Sequence, residues 1–216
     1  MDSIAGIFIG SFVIGLSGAM MPGPLFVVVL SQSPRRGPWT GPVAILGHGV
    51  LEAALVGAVI LGLAGFLSSP AVTQAVALAG GLVLLYMGVD MLRSAPGLSL
   101  EEKPRGAGDS KTAGMHPFQA GIFCSLANPF WTIWWATIGL GYLLIARQAG
   151  PAGLAAFLTG HILSDLAWYT VVSVMASSGR HWLTDPVYRG VIRACAVALL
   201  GFAVYFGYYG INGTAA

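Results

Sequence analysis

The sequence predicts an all-α integral membrane protein: a six-helix bundle made of two inverted three-helix repeats, with helices 1 and 4 broken. Three observations carry that prediction. Hydrophobic residues make up 56% of the 216 and charged residues 8%, whereas a soluble domain carries about 25% charged residues. Mean hydropathy is +0.79, and six apolar stretches approach or exceed the ~20 residues that a helix needs to cross a bilayer. One stretch in each half is interrupted by proline, and the stretch after it carries a matching polar signature.

The first stretch covers about 4–30 and is interrupted at Met21-Pro22-Gly23-Pro24. Two prolines remove two backbone donors and Gly23 adds freedom, so a helix must end and restart there. Backbone exposed at membrane depth is tolerated only against protein or a water-filled cavity. The break therefore predicts one wall of a transport site. Met1-Asp2-Ser3 lacks a basic start and the apolar run is too long for a cleavable signal, which predicts a retained first helix. The second stretch runs from about 41 to 65 and the third from about 71 to 92. Residues 94–116, rich in Pro, Gly, Lys and Glu, predict a solvated cytoplasmic linker between a first repeat (1–93) and a second, inverted one (117–216). The fourth stretch covers about 117–144 and is broken at Asn128-Pro129; the fifth covers about 152–176 and the sixth about 188–210.

Orientation follows from lysine and arginine. Arg35 and Arg36 lie between stretches one and two, Arg93, Lys103, Arg105 and Lys111 between three and four, and Arg180, Arg189 and Arg193 around the start of six. With these loops on one side, nine of the ten basic residues share it and only Arg147 stands opposite. That side is predicted to be the cytoplasm, with both termini outside.

An internal repeat supports two halves. Gly37-Pro38 through Gly47-His48 and Glu52 aligns without gaps on Gly150-Pro151 through Gly160-His161 and Asp165. Each copy follows a broken stretch and precedes one carrying Tyr-x-Gly, at Tyr86 and Tyr205. Three crossings per repeat is odd, so the second half enters inverted, the arrangement of many secondary transporters with a site near the midplane. Small residues every fourth position, at Ala54, Ala58 and Gly62 and at Ala152, Ala156, Gly160 and Ser164, predict close helix packing. Gly6 and Gly10 form a further such pair that would suit a homodimer.

Ionisable groups inside a span are costly and usually face the bundle interior. His48 and Glu52, and His161 and Asp165, are each four residues apart and so share a helix face. The plain reading is that each histidine bonds its own acid. The functional reading is that the acids hold a cationic group or a proton, and that the histidines, which titrate near neutral pH, relay protons. Pro24 and Pro129 each restart a helix at its favoured first position, with Asn128 as a good N-cap. The N–H groups of Phe26, Val27, Trp131 and Thr132 are then expected to point into the cavity and to favour a carboxylate. Alternatively each proline only kinks its helix. Asp90, three residues before Arg93, is expected to form a local ion pair. Trp131, Trp134 and Trp135 follow Pro129 and could line the cavity, but packed or lipid-facing positions are the plainer expectation. Cys124 and Cys195 stand alone in apolar runs, with no C-x-x-C, and are expected to be inert.

Met-Pro-Gly-Pro at 21–24, Arg-Arg-Gly at 35–37, the Gly-His run, Leu-Tyr-Met-Gly at 85–88 and Asn128-Pro129 together resemble the amino-acid exporters of the LysE/RhtB superfamily, over all six stretches. Glu52 stands where that family more usually has aspartate. The resemblance implies a six-helix secondary exporter of the bacterial or archaeal plasma membrane, moving amino acids or similar small solutes outward at the expense of the proton gradient. The expected site comprises Pro22, Gly23, Pro24, His48, Glu52, Asn128, Pro129, His161 and Asp165. The expected partners are a small solute, protons and the lipid bilayer, with no cofactor, no bound metal, no nucleic acid and no enzymatic activity. The alternative is a divalent metal cation exporter, since two histidines and two carboxylates also form a borderline metal site.

Overall fold

Proline stands in the first two positions of six of the described helices, the last one with its Pro186 included, and that habit sets much of the architecture. Helix α1 (Ile4–Ala19) is capped by Ser3, whose Oγ accepts the Gly6 N–H at 3.0 Å. Helices α2 (Pro24–Arg36), α5 (Pro70–Ser94), α6 (Pro117–Leu126), α7 (Pro129–Trp134) and α9 (Gly150–Ser177) all carry proline in their first positions. There the missing N–H is lost at no expense, because a first-turn N–H has no partner within its helix. Between them lie α3 (Thr40–Ala58), the short α4 (Ala64–Leu67) and α8 (Leu140–Gln148), and α10 (Asp185–Asn212) closes the chain. The computed structural model describes residues 3–67, 69–97, 114–178 and 184–212, and among these every regular element is helical.

Both expected interruptions are present. α1 and α2 meet at a bend of 78° across Met20–Gly23. α6 and α7 are separated at Ala127-Asn128, where Asn128 Oδ1 accepts the Phe130 N–H at 3.1 Å. Two further departures were not expected. The second stretch does not stay α-helical to Gly65: it widens at Val59–Leu63 and turns at Gly62, whose φ of 101° only glycine adopts readily. The fourth widens again at Trp135–Gly139. Of the 94–116 linker, Ser94 ends α5 and Ala95–Gly97 form a 3₁₀ turn, while 98–113 lie outside the described residues.

Three helices, Thr40–Gly62, Pro70–Gly97 and Asp185–Asn212, are each long and apolar enough to cross a membrane, and the bent α1–α2 pair makes a fourth if it is one span. Large apolar side chains such as Ile9, Leu61, Val204 and Ile211 point outward, as they do where the solvent is lipid. The main helix pairs are α1 with α9, α3 with α6, and α5 with α10. Glycine makes the first two pairs close. A Cβ on Gly47 would strike the Phe118 carbonyl and one on Gly121 the Ala44 carbonyl, so α3 and α6 touch along their backbones. Gly160 faces the Phe8 carbonyl in the same way, between α9 and α1. The α5–α10 pair is antiparallel: Gln74 Nε2 donates to the Gly210 carbonyl at 2.6 Å near one end, and Gly88 abuts Leu200 further along. The Gly160 and Ser164 row packs on α1 as its spacing predicted. Ala54 and Ala58 instead line, with residues of α5 and α7, an apolar cavity of about 340 Å³.

Candidate functional site

α3 and α9 cross with their polar faces inward and bring His48, Glu52, His161 and Asp165 together, all of them buried. One nitrogen or oxygen from each lies within 4.8 Å of the others. His48 Nε2 is 3.0 Å from Glu52 Oε1 and 3.4 Å from Asp165 Oδ2; His161 Nε2 is 3.1 Å from Glu52 Oε1 and 3.7 Å from Asp165 Oδ2. Bases and acids thus alternate around a closed four-sided ring. The plain alternative, each histidine bonded to its own acid, fits His48 alone: His161 approaches Glu52 of the other helix more closely than its own Asp165.

Glu52 Oε1 collects two more donors, the indole N–H groups of Trp131 at 3.1 Å and Trp135 at 2.8 Å. Trp134 stacks on His161, with ring centroids 4.8 Å apart. These tryptophans are therefore part of the site rather than lipid-facing. Their spacing could have revealed them: 131, 134 and 135 share one helix face, and an indole N–H at membrane depth needs an acceptor. Ser125 was also missed; its Oγ lies 2.7 Å from His48 Nδ1. On the other side Gly15 holds the corresponding place. A Cβ there would meet Ser164 Oγ and lie 2.8 Å from His161 Nδ1, so the glycine makes room for that imidazole but offers it no partner. His161 Nδ1 and Glu52 Oε2 are accordingly buried without a hydrogen bond among the described residues.

The four ionisable residues share a cavity of about 60 Å³ with Gly18, Ala19 and Leu25 from the first break and with Phe130 and Trp131 from the second. Pro24 and Pro129 are fully buried behind it. Pro129 rests on Gly80 of α5, and Gly23 faces Asn128. Pro22, Gly23 and Asn128 thus shape the site without lining it. The backbone donors fall differently from expectation. The Val27 N–H is bonded to the Gly23 carbonyl at 3.1 Å and the Thr132 N–H to the Asn128 carbonyl at 3.4 Å, because each completes its helix's first i to i−4 bond. That leaves the Leu25 and Phe26 positions, one residue earlier, as the helix-start donors of α2; Gly23 has no side chain with which to cap them. Asp90 does not pair with Arg93 among the described residues; the surface pair that forms is Asp185 with Arg189, at 3.7 Å.

The family model described as LysE type translocator matches residues 16–210. YcgF of Bacillus subtilis (strain 168), named as a proposed amino acid efflux protein, is 28% identical over 209 residues, covering 95% of this chain and 97% of that one. The chemotactic transduction protein ChpE of Pseudomonas aeruginosa is 28% identical over 202 residues, covering 91% of this chain and 95% of that one. The threonine efflux protein of Escherichia coli (strain K12) is 26% identical over 168 residues, covering 77% of this chain and 80% of that one. No solved structure matches the chain.

Proposed function

We propose, on the premise that this chain belongs to the LysE type translocator family, that it is a proton-coupled membrane exporter of amino acids. The observation that carries the proposal is the shared cavity: two interrupted helices and two histidine–acid pairs, one of each from either half, converge on one buried hollow. The helix-start N–H groups at Leu25 and Phe26 suit a substrate carboxylate. Glu52 and Asp165 suit the substrate ammonium or, in its absence, protons, and His48 and His161 pass protons between them. The hollow of about 60 Å³ has room for a few waters and not for an amino acid. Transport in this scheme therefore requires the halves to part around the site, which is the alternating access of repeat-built carriers.

The inverted-repeat reading draws support from the helix pairs. Exchange of the two halves turns the α1–α9 pair into α6–α3 and returns α5–α10 to itself, as a two-fold relation requires. The orientation with the basic loops in the cytoplasm and both termini outside belongs to the same proposal and rests on the arginine placement. Export of a divalent metal cation is the second reading, favoured by the four ligand-type atoms of the ring. The helix starts, which suit an anion, favour the amino acid.

The test is flux in proteoliposomes. A panel of radiolabelled amino acids is loaded inside and a proton gradient is imposed in the opposite direction. At least one amino acid should leave faster with the gradient than without it, and a protonophore should abolish the difference. Flux that is absent across the whole panel would overturn the proposal; flux indifferent to the gradient would overturn its coupling.

A further inference from the structure

We infer that the ring of His48, Glu52, His161 and Asp165 is also a four-coordinate divalent-cation site of the Zn²⁺ class, and that the bound cation blocks the carrier. The binding stands on geometry alone; the blocking rests on the exporter reading above.

A tetrahedral ion with ligand bonds of about 2.0–2.2 Å sets its ligands roughly 3.3–3.6 Å apart. Four of the six edges of such a tetrahedron, the base–acid ones, are here 3.0, 3.1, 3.4 and 3.7 Å, and the other two lie within 4.8 Å. The same edges cannot all be hydrogen bonds. Each Nε2 faces two carboxylate oxygens yet carries at most one hydrogen, so a closed ring of two imidazoles leaves contacts without a proton. A cation at the centre satisfies every edge at once.

Charge and orientation agree. Two carboxylates with two neutral imidazoles make an uncharged complex with a dication, which is the state a membrane interior tolerates best. The donor set, two imidazole nitrogens and two carboxylate oxygens, is one that Zn²⁺ accepts readily. His48 is already oriented as a ligand: when its Nδ1 donates to Ser125 Oγ at 2.7 Å, its Nε2 lone pair is left for the centre of the ring. Both indole N–H groups donate to Glu52 Oε1, the oxygen that also meets the two imidazoles, and so fix the carboxylate in place, while the unpartnered Oε2 offers a second oxygen to a cation.

The experiment uses tag-free, full-length protein in nanodiscs, titrated calorimetrically with Zn²⁺ alone and spectroscopically with Co²⁺. One ion per chain is expected, with the intense visible bands of four-coordinate Co²⁺. Asp165→Asn and His161→Asn should each weaken binding by at least ~10-fold and Ser125→Ala by a similar factor, the usual effect of removing an outer-shell partner. His116→Ala, at the start of α6 and outside the ring, should leave binding unchanged. Weak bands of six-coordinate Co²⁺, absence of binding, or binding unaltered in both ring variants would overturn the site. In proteoliposomes Zn²⁺ should stop amino-acid flux without crossing. Translocated ⁶⁵Zn²⁺, or undiminished flux with Zn²⁺ bound, would overturn the blocking. A protein that binds Zn²⁺ but moves no amino acid in metal-free buffer would refute the exporter reading and leave the site standing.

Discussion

Gly23 and Asn128, from opposite halves of the chain, face each other: a Cβ on Gly23 would lie 3.1 Å from Asn128 Nδ2. The two interruptions are therefore neighbours in space, and each is built against the other. Asn128 caps α7 with its Oδ1 while its amide nitrogen lies against Gly23.

A methyl group at position 23 must push that amide aside by a few tenths of an ångström. Gly23→Ala should lower amino-acid flux severalfold while folding survives, and Gly23→Val should abolish it. Asn128→Ala, which removes the cap of α7, should lower stability by about 1 kcal/mol. Flux in proteoliposomes and thermal unfolding in detergent check the two effects separately.

Glu52→Gln and Asp165→Asn should each abolish transport with expression near normal. Glu52→Ala should be far less stable than Glu52→Gln, because the amide oxygen of glutamine still accepts from the indoles. Alanine leaves the Trp131 and Trp135 N–H groups buried without an acceptor, at about 1–3 kcal/mol for each unsatisfied group. The difference in midpoint temperature between the two variants reads this directly, and equal midpoints would refute the bracing role.

Trp135→Phe keeps the ring packing and deletes one N–H donor 2.8 Å from Glu52. A hydrogen bond to a charged group is worth about 1.5–3 kcal/mol. Misplacing Glu52 by its loss should slow flux by ~10-fold or more. Trp131→Phe, whose bond is longer at 3.1 Å, should do less. Initial-rate measurements with both variants reconstituted at equal density would show the order.

Gly15→Ala should destabilise strongly, since its methyl would meet both Ser164 Oγ and His161 Nδ1. Ser164→Ala removes one of those obstacles. The double variant should then be more stable than the sum of the single losses implies, with a coupling of about 0.5–3 kcal/mol. A double-mutant cycle by thermal unfolding measures it; strict additivity would mean that α1 and α9 do not meet there.

What could be read from the sequence was what is decided locally. Proline lacks an N–H wherever it sits, so the restarts at Pro24 and Pro129 were visible as letters. The histidine–acid pairs were visible because four-residue spacing fixes a shared helix face and because burial of such groups in lipid is costly. The links between helices were not visible. The indoles reach Glu52 across 79 and 83 residues of chain, and although their shared helix face and their N–H groups call for an acceptor, nothing local says which one. The same holds for Ser125 and for the preference of His161 for Glu52, which depend on how α3, α6 and α9 cross. The expected donors Val27 and Thr132 were misplaced by one residue, because the first i to i−4 bond of each restarted helix already occupies them.

The alternating ring has an outcome for the protein at rest. Its cross-links tie α3 of one half to α9 of the other, and each leg contributes one base and one acid. Two of those contacts, His48 with Asp165 and His161 with Glu52, run between the helices and hold them together. To swing open, the molecule must first give those acids and imidazoles something else to hold. In the exporter proposed above, such a clasp would keep the pathway shut until a solute or a proton takes over one of its partners.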